Sequence, residues 1–111
     1  MISAVSRTLS VLADPTRRTA VEALADGPLN AGQLATRLEV TPAALTRHLR
    51  LLRQAGLVTV SLDEADSRRH LYAIVPGPLV ELTEWADHVA RFWADQLASY
   101  ARHAVEDRDA G

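Results

Sequence analysis

Arg47, Arg50 and Arg53 recur at three-residue steps, and Pro42, Ala43 and Thr46 fall on the same side of a helix drawn through them. Guanidinium groups match phosphate oxygens and the O6 and N7 acceptors of guanine, and threonine offers a hydroxyl and a methyl to a base edge. Such a row suggests recognition rather than bond making. The motifs that mark bond making are missing from the sequence. Its 111 residues contain no cysteine, no phosphate-cradling glycine loop, no nucleophile elbow and no helical histidine pair flanking a glutamate. The four histidines (His48, His70, His88 and His103) are scattered over different segments. No enzymatic activity and no cofactor are expected.

The net charge of −2 looks unsuited to a polyanionic partner until it is divided along the chain. Residues 1–60 hold seven arginines against four acids, whereas residues 76–111 hold three arginines against seven acids. A nucleic acid responds to the local field, so the distribution outweighs the total. All 12 cations are arginine, which suits bidentate contacts, although a compositional bias accounts for the missing lysine equally well. An apolar share of 48% is enough for a real core in one small domain. No run approaches the ~20 apolar residues of a membrane span, and Met1 to Leu12 lacks the pattern of a secretion signal. A cytoplasmic protein without membrane contact is expected.

The arginine row needs elements to hold it, and the chain's punctuation supplies them. A first helix is expected over Ser3 to Ala13, with Val5, Leu9 and Leu12 along one stripe. Asp14-Pro15 starts a second, through a carboxylate cap and a proline at the first helical position. That helix runs to about Asp26, buries Val21, Leu24 and Ala25, and stops at Gly27-Pro28. Arg17 and Arg18 sit where its dipole disfavours cations, so each needs a partner, either an acidic side chain or a DNA phosphate.

Asn30 and Gln33 then form a capping box, with Leu29 and Leu34 as a hydrophobic staple around it. The signature recurs at Thr41, which is followed by Pro42 and stapled by Val40 and Leu45. These signals predict a short helix from Asn30 to Leu38, a Glu39-Val40 turn and a longer helix from Thr41 to about Ala55, closed by Gly56. This is a helix-turn-helix. Leu45, Leu49 and Leu52 would face the core, leaving the arginine row outside.

Beyond Gly56 the period changes to two. Residues 57–62 and 70–75 read as paired strands, and the polar loop between them makes a wing. Arg68 and Arg69 could reach phosphates or an adjacent minor groove, although Asp63, Glu64 and Asp66 at the tip would repel DNA. After Pro76-Gly77-Pro78 a last helix is expected from Leu79 to Val105. Along it Leu82, Trp85, Val89, Phe92, Trp93, Leu97 and Tyr100 recur at three- and four-residue steps. A seam longer than a small core can cover implies a partner helix, most economically from an identical subunit. With Leu9 these residues form the expected dimer interface.

Taken in order, Leu12 to Arg18, Gln33-Leu34-Ala35 with Val40-Thr41, Leu45 to Leu49, Leu51 to Val58 and Trp85 to Leu97 carry a family likeness. The chain resembles the ArsR-type (arsenic-repressor-like) winged helix-turn-helix regulators over nearly its whole length, in the branch with few cysteines. The resemblance implies a mainly α fold with a small β-hairpin wing over residues 1–111. Residues 30–55 would be the helix-turn-helix, 57–75 the wing, and 3–13 with 79–105 the dimerisation helices. It implies a homodimer that represses transcription, often of its own operon, from an imperfect inverted repeat in double-stranded DNA. Carried over by position, Thr41, Ala43, Thr46 and Arg47 lie nearest the bases, and Pro42, Arg50, Arg53, Arg68 and Arg69 complete the DNA set. His48 borders the core stripe and is divided between helix packing and a phosphate contact.

The thiolate pair of metal-sensing members would fall at Asn30 and Gly32, and neither replaces a cysteine. A second family site joins the C-terminal helices through carboxylates and histidines. Here only His88, beside Asp87, and the pair His103 and Glu106 are candidates, at spacings unlike the family's. Surface histidines on an acidic helix are the plainer reading, so no metal is expected. The sequence names no inducer, whether small molecule or protein. The rival function is a winged-helix domain used for protein contact, which would favour an apolar or aromatic face over an arginine row.

Overall fold

Side-chain caps set the start of each of the first four helices. In the structure, a computed structural model that describes residues 3–110, Ser3 opens α1 (Ala4–Leu12) by accepting from the Ser6 N–H. Met1, Ile2 and Gly111, included in the expected 1–111 range, lie outside the described residues. Asp14 opens α2 (Pro15–Ala23), accepting from the Thr16 N–H at 2.8 Å and the Arg17 N–H at 3.2 Å. A 3-10 turn follows over Leu24–Asp26, and its tighter winding leaves Ala25 exposed instead of buried as expected. Both halves of the capping box are present at α3 (Ala31–Leu38), each at 2.9 Å between Asn30 and Gln33. Thr41 caps α4 (Pro42–Gln54) through the Ala44 N–H.

The turn between α3 and α4 bends at Glu39, which adopts φ 55°, the left-handed conformation that non-glycine residues rarely take. Gly56, at φ 78°, makes the corresponding turn after α4 at a position where a side chain would add strain. The chain then forms β2 (Val58–Leu62) and β3 (His70–Ile74), paired antiparallel from Val58–Ile74 to Leu62–His70. A further strand, β1 (Leu29–Asn30), pairs with β3 on its other edge, giving the order β1-β3-β2. Sequence analysis assigns these two residues only to the cap and staple of α3. A two-residue strand carries no period of its own.

Leu34, Leu45, Leu52 and Leu57 are fully buried, with Leu24, Leu49, Ala20 and Val58 beside them. Removing one leucine side chain from water contributes about 1.5–3 kcal/mol, so this stripe holds α4 firmly against α2 and α3. Among the described residues, no aromatic side chain belongs to the buried core. The last element, α5 (Gly77–Ala110), begins at the Gly77-Pro78 break itself and continues past the expected end at Val105. Its 34 residues make it about 51 Å long. It lies along α1 and extends well beyond it, giving the molecule extents of 75 × 27 × 27 Å. The radius of gyration is 20.6 Å, whereas a globular chain of this length has about 13 Å. Among the described residues, no helix is long and apolar enough to cross a membrane.

The Asp14 cap makes stability depend on acid. Burial opposes its charge, but the backbone N–H groups of Arg17 and Thr16, then the charge of Arg17, hold its carboxyl below the usual 3.8. A lowered folded value gives stability that is complete above the unfolded value and is lost as pH falls through the folded one. Asp14→Asn keeps a capping oxygen and loses the charge. In melts from about pH 6 to pH 3, wild type should lose more stability on acidification than Asp14→Asn. Parallel acid limbs would count against this role for Asp14.

Candidate nucleic-acid interface

Because Leu45, Leu49 and Leu52 anchor α4, its opposite face is turned to solvent. Thr41, Pro42, Ala43, Thr46, Arg47, Arg50 and Arg53 are all exposed there. Thr46 donates its hydroxyl to the Pro42 carbonyl at 2.9 Å, which leaves the oxygen available as an acceptor. Among the described residues, no ion pair engages Arg47, Arg50 or Arg53. Arg50 and Arg53 border an open groove of about 400 Å³ whose other wall includes Val58, Thr59 and Val60 of β2. The outer face of α4 and the hairpin therefore share one surface.

His48 does not belong to that surface. It is only 7% exposed, with its ring Nδ1 3.3 Å from the Arg17 guanidinium. Of the two readings of this residue, the structure supports packing, and the phosphate contact is corrected. Its position one step past Arg47 turns it about 100° toward the core. The partners expected for Arg17 and Arg18 need correcting too. Arg17 Nε donates to the Val11 carbonyl at 2.6 Å, and Arg18 donates to the carbonyls of Leu12 and Ala13. They satisfy the open carbonyl end of α1, where the dipole favours cations. Only a loose contact of Arg17 with Asp14, at 4.0 Å, matches the acidic alternative.

The wing arginines are exposed and tethered. Asp66 faces Arg68 Nε at 3.2 Å and Arg69 Nε at 3.6 Å. The Arg68 backbone N–H and side chain, with Arg69 behind them, hold the Asp66 carboxyl below its usual range. The carboxylate thus engages both guanidinium groups within the wing. Asp66→Asn should raise affinity for a random duplex several-fold and steepen the log–log salt slope by about one. An unchanged slope would show that Asp66 does not restrain the pair.

A second groove, of about 840 Å³, escapes sequence reasoning. Gln33, Thr36 and Arg37 of α3 line one side, and Arg68, Arg69 and His70 at the base of the wing line the other. Among the described residues, no acidic side chain lines it. Residues more than thirty positions apart meet here because β1 pairs with β3, and no local spacing announces that. Asn30 and Gly32 also border this groove. The Asn30 side chain is occupied in capping α3, and a Cβ on Gly32 would lie 3.3 Å from its oxygen.

On the last helix, Leu82 and Val89 are half-buried, whereas Trp85, Phe92, Trp93, Leu97 and Tyr100 are exposed, as is Leu9 on α1. Exposure reaches 58% at Trp93 and 78% at Tyr100. Phe92 and Trp93 pack edge to face at 5.5 Å. His88 lies about 22 Å along the helix from His103, too far to share an ion within one chain. His103 and Glu106 pair with each other at 3.7 Å. Among the described residues, no group of three or more potential ligands comes together.

Comparison with known proteins agrees with this arrangement. Residues 14–60 match the family model described as "Bacterial regulatory protein, arsR family". HTH-type transcriptional regulator Rv2034 of Mycobacterium tuberculosis is 41% identical over 96 residues, 86% of this chain and 84% of that protein. The chain belongs to the arsR family. Another relative in sequence is HTH-type transcriptional regulator CmtR of Mycobacterium bovis. It is 39% identical over 77 residues, 69% of this chain and 63% of its own length. The solved structure of an ArsR-like transcriptional regulator from Rhodococcus sp. RHA1 superposes with a TM-score of 0.73 at 26% identity. That match covers 86% of this chain and 88% of the other. The arsR-family fold is thus a winged helix with a long C-terminal helix, and the relatives are transcriptional regulators, not enzymes.

Proposed function

We propose that this arsR-family regulator is a cytoplasmic homodimer that represses transcription by binding an inverted-repeat operator, its own promoter included. The observation that carries the DNA reading is the face of α4, where Arg47, Arg50 and Arg53 stand exposed beside Thr46 with no ion-pair partner among the described residues. The first turns of α4 enter the major groove, and Thr41, Pro42, Ala43, Thr46 and Arg47 meet base edges. Arg50, Arg53, Arg68 and Arg69 supply phosphate affinity.

The length of α5 supports the dimer. A helix with two tryptophans, a phenylalanine and a tyrosine outside the core needs a cover, and a second copy presents the same seam. Two reading helices about 34 Å apart would then address successive turns of DNA. The sequence holds no cysteine, and the regulator is proposed to act without a thiolate-bound metal.

Fluorescence anisotropy tests the reading. The probes are a duplex enriched from a randomised library by the wild-type protein and an unselected duplex, with chelator present and salt varied. Tight, salt-dependent binding at two chains per duplex, favouring the enriched sequence, is expected. Failure to enrich any sequence would sink the base-reading role and favour a protein-contact module.

A further inference from the structure

Arg17 touches three elements at once. Its Nε donates to the Val11 carbonyl at the end of α1, and its guanidinium faces Asp14 at the cap of α2. Its Nη1 lies 3.3 Å from His48 Nδ1 on α4. The side chain is only 15% exposed, so these contacts form inside the protein. A guanidinium has donors and no acceptor, so the His48 nitrogen facing it must be the acceptor and the ring proton must sit on Nε2. His48 directly follows Arg47, the base-reading candidate, on the same turn of α4. Val11 belongs to the helix that lies along α5.

We propose that Arg17 is a positioning residue that sets the attitude of the reading helix from the placement of α1. The inference rests on the DNA-binding function proposed for this fold and adds the route by which the α1–α5 pair acts on it. One planar cation spans the α1 carbonyl and the α4 imidazole, so a shift of α1 relative to α2 moves one anchor and pulls on the other. A second copy seated on α5, or an effector that reseats it, thereby changes how Arg47 meets the bases without touching DNA. Arg17 itself faces inward and offers no phosphate contact.

The test is a double-substitution cycle on the full chain with Arg17→Ala, His48→Ala and both, read as affinity for the enriched and the unselected duplex. Each single change should weaken enriched-duplex binding about tenfold, and the pair should weaken it no further, because both remove one connection. Affinity for the unselected duplex should stay near wild type. Equal loss on both duplexes, or singles whose effects add, would overturn the proposal. A purely structural role is separated by NMR. Wild-type His48 should show the Nε2–H tautomer, and Arg17→Ala should shift the ring nitrogens and the α4 amides from Thr46 to Leu49 while leaving the hairpin amides in place. Unmoved α4 resonances in the folded variant would refute it, even if wild type bound no DNA at all and only the functional reading failed.

Discussion

Trp93→Ala should raise the dissociation constant of the dimer by about three orders of magnitude. A buried tryptophan at the centre of an interface is worth about 2 kcal/mol or more on truncation, and two-fold symmetry removes it twice, giving about 4 kcal/mol. The residue suits the test because it is 58% exposed in the single chain and outside the buried core. Helicity of the isolated chain should therefore persist while association is lost. Sedimentation across a wide concentration range separates the outcomes. Dimers that dissociate at concentrations where wild type does not would place Trp93 in the seam. An unchanged dimer would move the interface elsewhere on α5 or α1, and a wild type that is monomeric throughout would remove the dimer.

The second large effect is expected at Arg47. Arg47→Ala should cost about 1–3 kcal/mol per half-site on the enriched duplex and relax preference at the base it faces. Its guanidinium forms no ion pair among the described residues, so the loss should not be masked by a broken internal contact. Arg68→Ala is the contrasting change. Its side chain is 90% exposed beside Asp66, and its removal should weaken enriched and unselected duplexes alike. If Arg47→Ala also weakened all sequences equally, its role would be phosphate contact.

How much of this could be read from the chain depended on the range of each interaction. Asp14, Asn30 and Thr41 each bond a backbone N–H two or three residues ahead, so their helix starts could be found from composition and spacing alone. The leucine stripe of α4 was legible for the same reason, and it correctly turned Arg47, Arg50 and Arg53 outward. The sequence could not show contacts made by remote segments. Leu29 pairs with Tyr72, Arg37 shares a groove with Arg68, and Arg17 meets His48. Each depends on the assembled fold, and the last of them reassigned two residues, Arg17 and His48, whose local setting was ambiguous. The dipole argument holds for Arg17 and Arg18, which do have partners, but these are main-chain carbonyls that side-chain identities do not reveal.

In the proposed homodimer, the helix that outruns its own core would also make the protein a gauge of its own abundance. If the seam on α5 is sheltered only by a second copy, folding and pairing draw on one free energy, and the melting temperature should climb with protein concentration. Below the dimer dissociation constant, operator occupancy would rise with the square of the chain concentration. A repressor acting on its own promoter would then hold its level against small fluctuations and release abruptly on dilution, without any ligand to signal the change.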